Sequence, residues 1–273
     1  MKHLSIAFIG AGNMTSAIVT GMVKQGYPSH LITASNPSLP KLEKLQADLN
    51  IQITQSNLEA VNQADVIVLA VKPQLMSAVC QPLVEAGAFT KGKLYISIAA
   101  GLTCERLYQM IGGQFPLVRT MPNTPSAVGK GLTGLFSENA TKEQRQYSEE
   151  VFNHVGTTVW AKEEDQINTV IAGAGSSPAY FFLFLDAMQQ KVESMGFEPH
   201  DARNMVQQAM LGAAELVCAS PDVSLKELRE RVMSKGGTTA KAVEHFQANN
   251  LEEIVSGAMQ AAVDRAEEMS KLL

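Results

Sequence analysis

Two glycine-rich turns concentrate the residue types and spacings that could do chemistry in this chain. Near the start, the apolar run at residues 5–9 passes directly into Gly10, Ala11, Gly12, Asn13, Met14 and Thr15, and then into a helical pattern. A strand, a glycine turn and a helix in that order suit a dinucleotide. The first glycine permits a tight turn, the second lets backbone approach a pyrophosphate, and the helix N-terminus supplies N–H donors and partial positive charge. Thr15 departs from this pattern, because it stands where a third glycine usually lies and its side chain must push helix and strand apart or find a contact of its own. A glycine turn with no ligand is the alternative. The second turn is Ser234-Lys235-Gly236-Gly237-Thr238-Thr239, ahead of a helical stretch at 240–246. Glycines ending one helix and a threonine capping the next would account for it. The same geometry offers free N–H groups, unscreened by side chains at Gly236 and Gly237, that can grip a small carboxylate.

Other positions extend the first site. Folds that prefer NAD place an acid about 20 residues beyond the glycines, but here the chain reads Ala34-Ser35-Asn36-Pro37-Ser38 and has no carboxylate before Glu43. Ser35 and Asn36, with Lys41 and Lys44 nearby, can receive a 2′-phosphate, which favours NADPH and leaves NADH possible; the lysines also fit a solvated helix face. Ala70, Val71, Lys72 and Pro73 close a fourth strand, and Ile98, Ala99 and Ala100 close a fifth. Both lie at the carboxyl edge where open α/β sheets bind ligands, and small residues there let a nicotinamide and its ribose lie against backbone. Tight strand-to-helix turns would read the same way. His3, His30, His154, His200 and His245 are scattered and are expected at the surface or in packing; no metal is expected.

These turns need a frame. Strands are expected at 5–9, 31–34, 51–54, 66–71, 94–98, 117–121 and 155–160, with helices at 14–24, 40–48, 73–85 and 141–154 between them. Such alternation predicts an α/β, doubly wound, Rossmann-type domain at residues 1–162. Beyond it, helical periodicity at 167–174, 179–195, 201–218, 225–232, 239–246 and 251–273 predicts an all-α domain at 163–273, meeting the first around 161–165. In the 273 residues, hydrophobic types make up 45% and charged types 18%, which fits a folded chain rather than long disorder. With 22 Lys and Arg against 27 Asp and Glu, interspersed in the C-terminal half, no basic face marks a nucleic-acid partner. Cys80, Cys104 and Cys218 lie far apart and suit a reducing cytoplasm. The start lacks a signal-like apolar region, and the apolar stretch 178–188 includes Asp186 and is too short for a bilayer, so a buried helix and no membrane contact are expected. The long apolar helices 179–195 and 201–218 need a second copy to hide their surface, so a dimer is the minimum.

Six ordered motifs carry a resemblance: GAGNM at 10–14, AVKP at 70–73, SIAAG at 97–101, RTMPNTP at 119–125, the GxxPAY segment at 175–180 and VMSKGGTTAKAV at 232–243. Along essentially its whole length the chain resembles the pyrroline-5-carboxylate reductase family. The resemblance implies an NAD(P)H-binding Rossmann domain followed by a helical domain that dimerises by interleaving, as a homodimer or a higher oligomer of dimers. It implies reduction of 1-pyrroline-5-carboxylate to L-proline by hydride from NADPH, the last step of proline biosynthesis. By motif match, residues 10–14 and Thr15 line the pyrophosphate, Ser35 and Asn57 the adenosine ribose, and Ala70 to Pro73 with Ile98 to Ala100 the nicotinamide. Substrate sits against Ser234, Gly236, Gly237, Thr238 and Thr239, with Thr239 as the candidate catalytic group at the ring nitrogen. Besides Thr15, Ser177 stands where glycine is common before Pro178, and Lys235 where many members have proline. The loop 119–125, stiffened by two prolines, either shapes the floor of the pocket or is a purely structural turn, and Arg119 is open to pairing with an acid across the domain boundary. A β-hydroxyacid dehydrogenase would require a general-acid lysine, and Lys191, Lys226, Lys235 and Lys241 lie in no matching motif. A cofactor-binding regulator without catalysis would explain Thr15 but not the turn at 234–239.

Overall fold

The computed structural model describes residues 3–272. Strands β1 (Ile6–Ile9), β2 (Ile32–Ser35), β3 (Gln52–Thr54), β4 (Val66–Leu69), β5 (Leu94–Ser97), β6 (Leu117–Met121), β7 (Gly131–Phe136) and β8 (Gly156–Trp160) form one sheet in the order β3-β2-β1-β4-β5-β6-β7-β8. The first six run parallel; β7 is antiparallel to β6, and β8 follows β7 in parallel. The order reverses between β1 and β4, which is where such sheets open a crevice at their carboxyl ends.

Helices cover both faces because the central strands β1, β4 and β5 are buried on both sides. Ile6 and Phe8 of β1 join one core with Ile18, Val19 and Met22 of α1 (Asn13–Lys24), Leu42 and Leu45 of α2 (Leu39–Leu49), and the helix at Lys142–Asn153. Ala7 and Ile9 join the other with Val61 of α3 (Asn57–Gln63), Met76 and Leu83 of α4 (Met76–Glu85) and Leu107 of α5 (Cys104–Met110). The helix at Lys142–Asn153 is α6; Thr141 caps it in a reciprocal capping box with Gln144. α7 (Gln166–Val170) then packs Ile167 into the second core.

The sequence missed β7, the strand that runs antiparallel to its neighbour β6, and α3 and α5. Gly131 and Gly134 dilute the strand signal of β7. Gly134 is needed for space, since a Cβ there would stand 2.8 Å from a methyl carbon of Val170. α3 and α5 have only seven residues each, too few to show a helical period, although Ser56 and Thr103 cap them.

After α7 the helix widens into a π turn at Ile171–Gly175, with the Ser176 N–H donating to the Ile171 carbonyl at 2.8 Å. The side chain of Asn123 anchors this turn. Its Nδ2 donates to the Ala174 carbonyl at 3.0 Å, while its Oδ1 accepts from the Leu132 N–H at 2.9 Å. Ser177 also donates to the Ala174 carbonyl, at 3.3 Å.

α8 (Ser177–Ser194), α9 (Pro199–Ala219), α10 (Leu225–Arg231), α11 (Thr238–Ala248) and α12 (Leu251–Leu272) complete the chain. Two compact units result, one running to Pro178 and taking in the chain from Ala261 onward, the other spanning Ala179–Gln260. In the second unit the chain alone builds very little core. α8 has no buried residue, and α9 buries only Ala202 and Val206. The expectation of a buried helix at 178–188 is therefore corrected for the single chain. The continuous helical run Gln166–Ser194 is long and apolar enough to cross a bilayer by length and composition. Phe181, Phe182, Leu183 and Phe184 are successive and all exposed. At 100° per residue they leave no polar face between them, as in a helix surrounded by partners.

Arg119 pairs with an acid as expected, Glu164, at 2.8 Å. Arg119 is buried, and the same Glu164 oxygen accepts the Cys104 N–H at 2.7 Å. Glu164→Gln keeps an acceptor for that N–H but leaves a buried guanidinium without its counter-charge. The expected cost is about 2 kcal/mol, reduced for the partial exposure of Glu164, or a fall of roughly 4–8 °C in melting temperature. Thermal unfolding of the variant against wild type measures it.

Candidate active site

The residues after β1 form a cradle open to solvent. Gly10 has φ 113°, and a Cβ on it would lie 2.7 Å from the Ala70 carbonyl oxygen, so only glycine fits between β1 and the end of β4. Gly12 is the N-cap residue of α1 and receives no side-chain cap, and a Cβ there would meet open space. The first N–H groups of α1 have no carbonyl one turn earlier to bond, and the exposed Gly12 and Asn13 flank them. A pyrophosphate fits this chemistry: a bare helix N-terminus, with no side chain over the approach.

Thr15 resolves one departure noted in the sequence. Its side chain is wholly buried, and its hydroxyl donates to the Gly10 carbonyl at 2.7 Å. It therefore makes a contact of its own instead of prising helix from strand.

The neighbouring carboxyl ends bring further expected residues to the same edge. Ser35 ends β2 and donates to the side chain of Asn57, the first residue of α3. Asn36 accepts the Ala11 N–H at 3.4 Å and donates to the Ser38 carbonyl at 3.3 Å. No carboxylate stands among residues 34–38; Lys41 and Lys44 are exposed on α2. After β4, the Ala70 N–H bonds the Ile9 carbonyl at 2.9 Å, and Val71, Lys72 and Pro73 lead into a short 3-10 turn. After β5, the Ile98 N–H bonds the Leu69 carbonyl at 3.2 Å, and the Ala99 N–H donates to the Ser97 hydroxyl at 3.3 Å. Ala70 thus lies beside Gly10, and Ile98 follows beyond β4 at the same sheet edge.

In the second unit, residues 234–237 close a turn in which the Gly237 N–H bonds the Ser234 carbonyl at 2.9 Å, with Gly236 at φ 71°. The N-cap residue of α11 is Gly237, without a side-chain cap, and Thr238 and Thr239 are the first two helical residues. The expectation of a capping threonine is corrected: the glycine leaves the helix N-terminus bare. A Cβ on Gly237 would stand 2.3 Å from the Ser234 hydroxyl oxygen, so glycine also keeps Ser234 in place. Ser234, Gly236, Thr238 and Thr239 are exposed.

The histidines are less scattered than their spacing implied, for His3 and His154 both lie against Tyr27, with ring centroids 4.7 and 5.6 Å away. Among the described residues, no group of three or more His, Cys, Asp and Glu side chains could hold a metal ion.

Comparison with known proteins gives two family matches. A family described as pyrroline-5-carboxylate reductase dimerisation matches residues 164–269, and one described as NADP oxidoreductase, coenzyme F420-dependent, matches residues 5–101. A pyrroline-5-carboxylate reductase of Vibrio alginolyticus is 52% identical over 273 residues, covering all of both chains. The structure of a pyrroline-5-carboxylate reductase from Coxiella burnetii has a TM-score of 0.90 at 39% identity, covering 98% of this chain and 99% of that one. The Plasmodium falciparum pyrroline carboxylate reductase, solved with NADP bound, has a TM-score of 0.87 at 28% identity, with 99% of each chain covered.

Proposed function

The chain belongs to the pyrroline-5-carboxylate reductase family, and from that premise we propose that it reduces 1-pyrroline-5-carboxylate to L-proline with NADPH, as the last step of proline biosynthesis. The observation that supports the chemistry best is the bare N-terminus of α11, where Gly237 supplies no cap and Gly236 no side chain.

Bound NADPH supplies a hydride from its dihydronicotinamide. The protein's own part is orientation. N–H groups of Gly12, Asn13, Met14 and Thr15 bind the pyrophosphate, while Ser35, Asn36 and Asn57 hold the adenosine ribose and its 2′-phosphate. Ala70, Val71, Lys72, Pro73, Ile98, Ala99 and Ala100 offer backbone and small side chains to the nicotinamide. The substrate is a cyclic imine bearing a carboxylate. The turn at Ser234, Gly236, Gly237 and Thr238 holds that carboxylate through N–H groups reinforced by the helix dipole. Thr239 hydrogen-bonds the ring nitrogen, where protonation makes the adjacent carbon electrophilic. NADH serves as a poorer donor because no carboxylate waits for its ribose 2′-hydroxyl. The test is NADPH oxidation on addition of 1-pyrroline-5-carboxylate, repeated with NADH. Turnover with NADPH supports the assignment, and no turnover with either cofactor rejects it.

The chain acts as a homo-oligomer, and we take its unit to be a dimer or a set of dimers joined through α8 and α9. We place the nucleotide-binding domain at residues 1–162 and the helical domain at 163–273, a division supported by the end of β8 at Trp160 and the family match from 164, while packing alone draws the first compact unit on to Pro178. We assign the enzyme to the cytoplasm, without membrane or nucleic-acid partners. Cys80, Cys104 and Cys218 are all free thiols, which accords with a reduced compartment.

A further inference from the structure

Two departures from the common dinucleotide pattern, Thr15 in place of a third glycine and Asn36 in place of an acid, meet on a single peptide group. The carbonyl of Gly10 accepts the Thr15 hydroxyl at 2.7 Å, and the N–H of Ala11, on the same peptide, donates to the Asn36 side chain at 3.4 Å. Thr15 is completely buried, so its hydroxyl faces no ligand. Asn36 is held in turn by its amide bond to the Ser38 carbonyl and by its backbone N–H on the Thr54 carbonyl, both 3.3 Å. On the other side of Gly10, its N–H bonds the Ser35 carbonyl at 2.8 Å.

We propose that Thr15 and Asn36 are positioning residues that clamp the Gly10–Ala11 peptide from its two faces, fixing the pyrophosphate turn in its binding orientation before the cofactor arrives. The proposal rests on the assignment of NADPH to this turn. A peptide next to glycine has wide rotational freedom. If either clamp is removed, several orientations share the population, and only one of them aims the N–H groups of Gly12 and Asn13 outward. Apparent affinity falls by the fraction of molecules that remain competent. The device also joins the 2′-phosphate end of the site to the pyrophosphate end, because Asn36 belongs to both.

The experiment is calorimetric titration, without substrate, of NADPH into wild type, Thr15→Val, Thr15→Ser, Asn36→Ala and the Thr15→Val/Asn36→Ala pair, with 2′-AMP as a probe lacking the pyrophosphate. Thr15→Val keeps the shape and deletes the donor. Its NADPH dissociation constant should rise about tenfold, with 2′-AMP unchanged within about twofold. Thr15→Ser should bind NADPH like wild type. Asn36→Ala, at a half-exposed position that does not threaten the fold, should weaken NADPH several-fold and 2′-AMP by a smaller factor, which measures its direct contact at the 2′-phosphate end; with that factor divided out, the double variant should be little worse than Thr15→Val. Wild-type NADPH affinity in Thr15→Val would overturn the proposal. So would an equal loss for NADPH and 2′-AMP in that variant, or losses in the pair that still multiply once the 2′-AMP factor of Asn36→Ala is divided out. Failure of the wild type itself to bind NADPH would instead reject the assignment of the turn, and the clamp with it.

Discussion

Thr239→Ala lowers turnover about 100-fold while leaving the NADPH dissociation constant within about twofold of wild type. The threonine is the second residue of α11, beyond an N-cap glycine that contributes no side chain. In a helix this position presents both a backbone N–H without an internal partner and a hydroxyl beside it. Truncation to alanine removes only the hydroxyl, and alanine suits a helix better than threonine, so the fold should stand. A group that holds the substrate nitrogen during hydride transfer affects the reaction's barrier, whereas the residues proposed for the cofactor lie in the other unit. Steady-state turnover and NADPH titration separate the two. Wild-type turnover in the variant would remove Thr239 from the mechanism.

Replacing Phe182 and Leu183 together by aspartate converts the oligomer to monomer or aggregate and lowers activity at least about 100-fold at ordinary assay concentrations. The two side chains are 61% and 72% exposed in the single chain. Each contributes roughly 1.5–3 kcal/mol when covered by a partner, and a carboxylate in its place must be desolvated without a counter-charge. α8 to α11 enclose few buried residues of their own, so a partner docked on α8 would also supply core beneath the turn at 234–239. Activity and assembly should therefore fall together. Sedimentation velocity beside the kinetic assay tests this, and full activity in a monomeric double variant would sink it.

The nucleotide-binding half was legible because its signals are local. An apolar strand, a glycine that only a crowded turn requires, and an amphipathic α1 follow one another without interruption. The turn at 234–239 was legible for the same reason, although its cap was assigned to threonine where the structure has glycine. What escaped depends on distant neighbours. Gly134 weakens the signal of β7 because Val170, far along the chain, occupies the space a side chain would need. Glu164 looked like one acid among several until folding set it against Arg119 and the N–H of Cys104. Thr15 appeared as a possible defect, because nothing within the motif shows that its hydroxyl ends on the Gly10 carbonyl.

The π turn at Ile171–Gly175 has one more implication. It is a single residue too long for the ordinary spiral, and Asn123 clasps its Ala174 carbonyl. Were the turn to relax into the ordinary spiral with all its residues kept, everything downstream would rotate by about 100° about the axis. The widened turn thus sets the angular phase of α8, deciding which of its aromatic rings face in a given direction when a second copy docks.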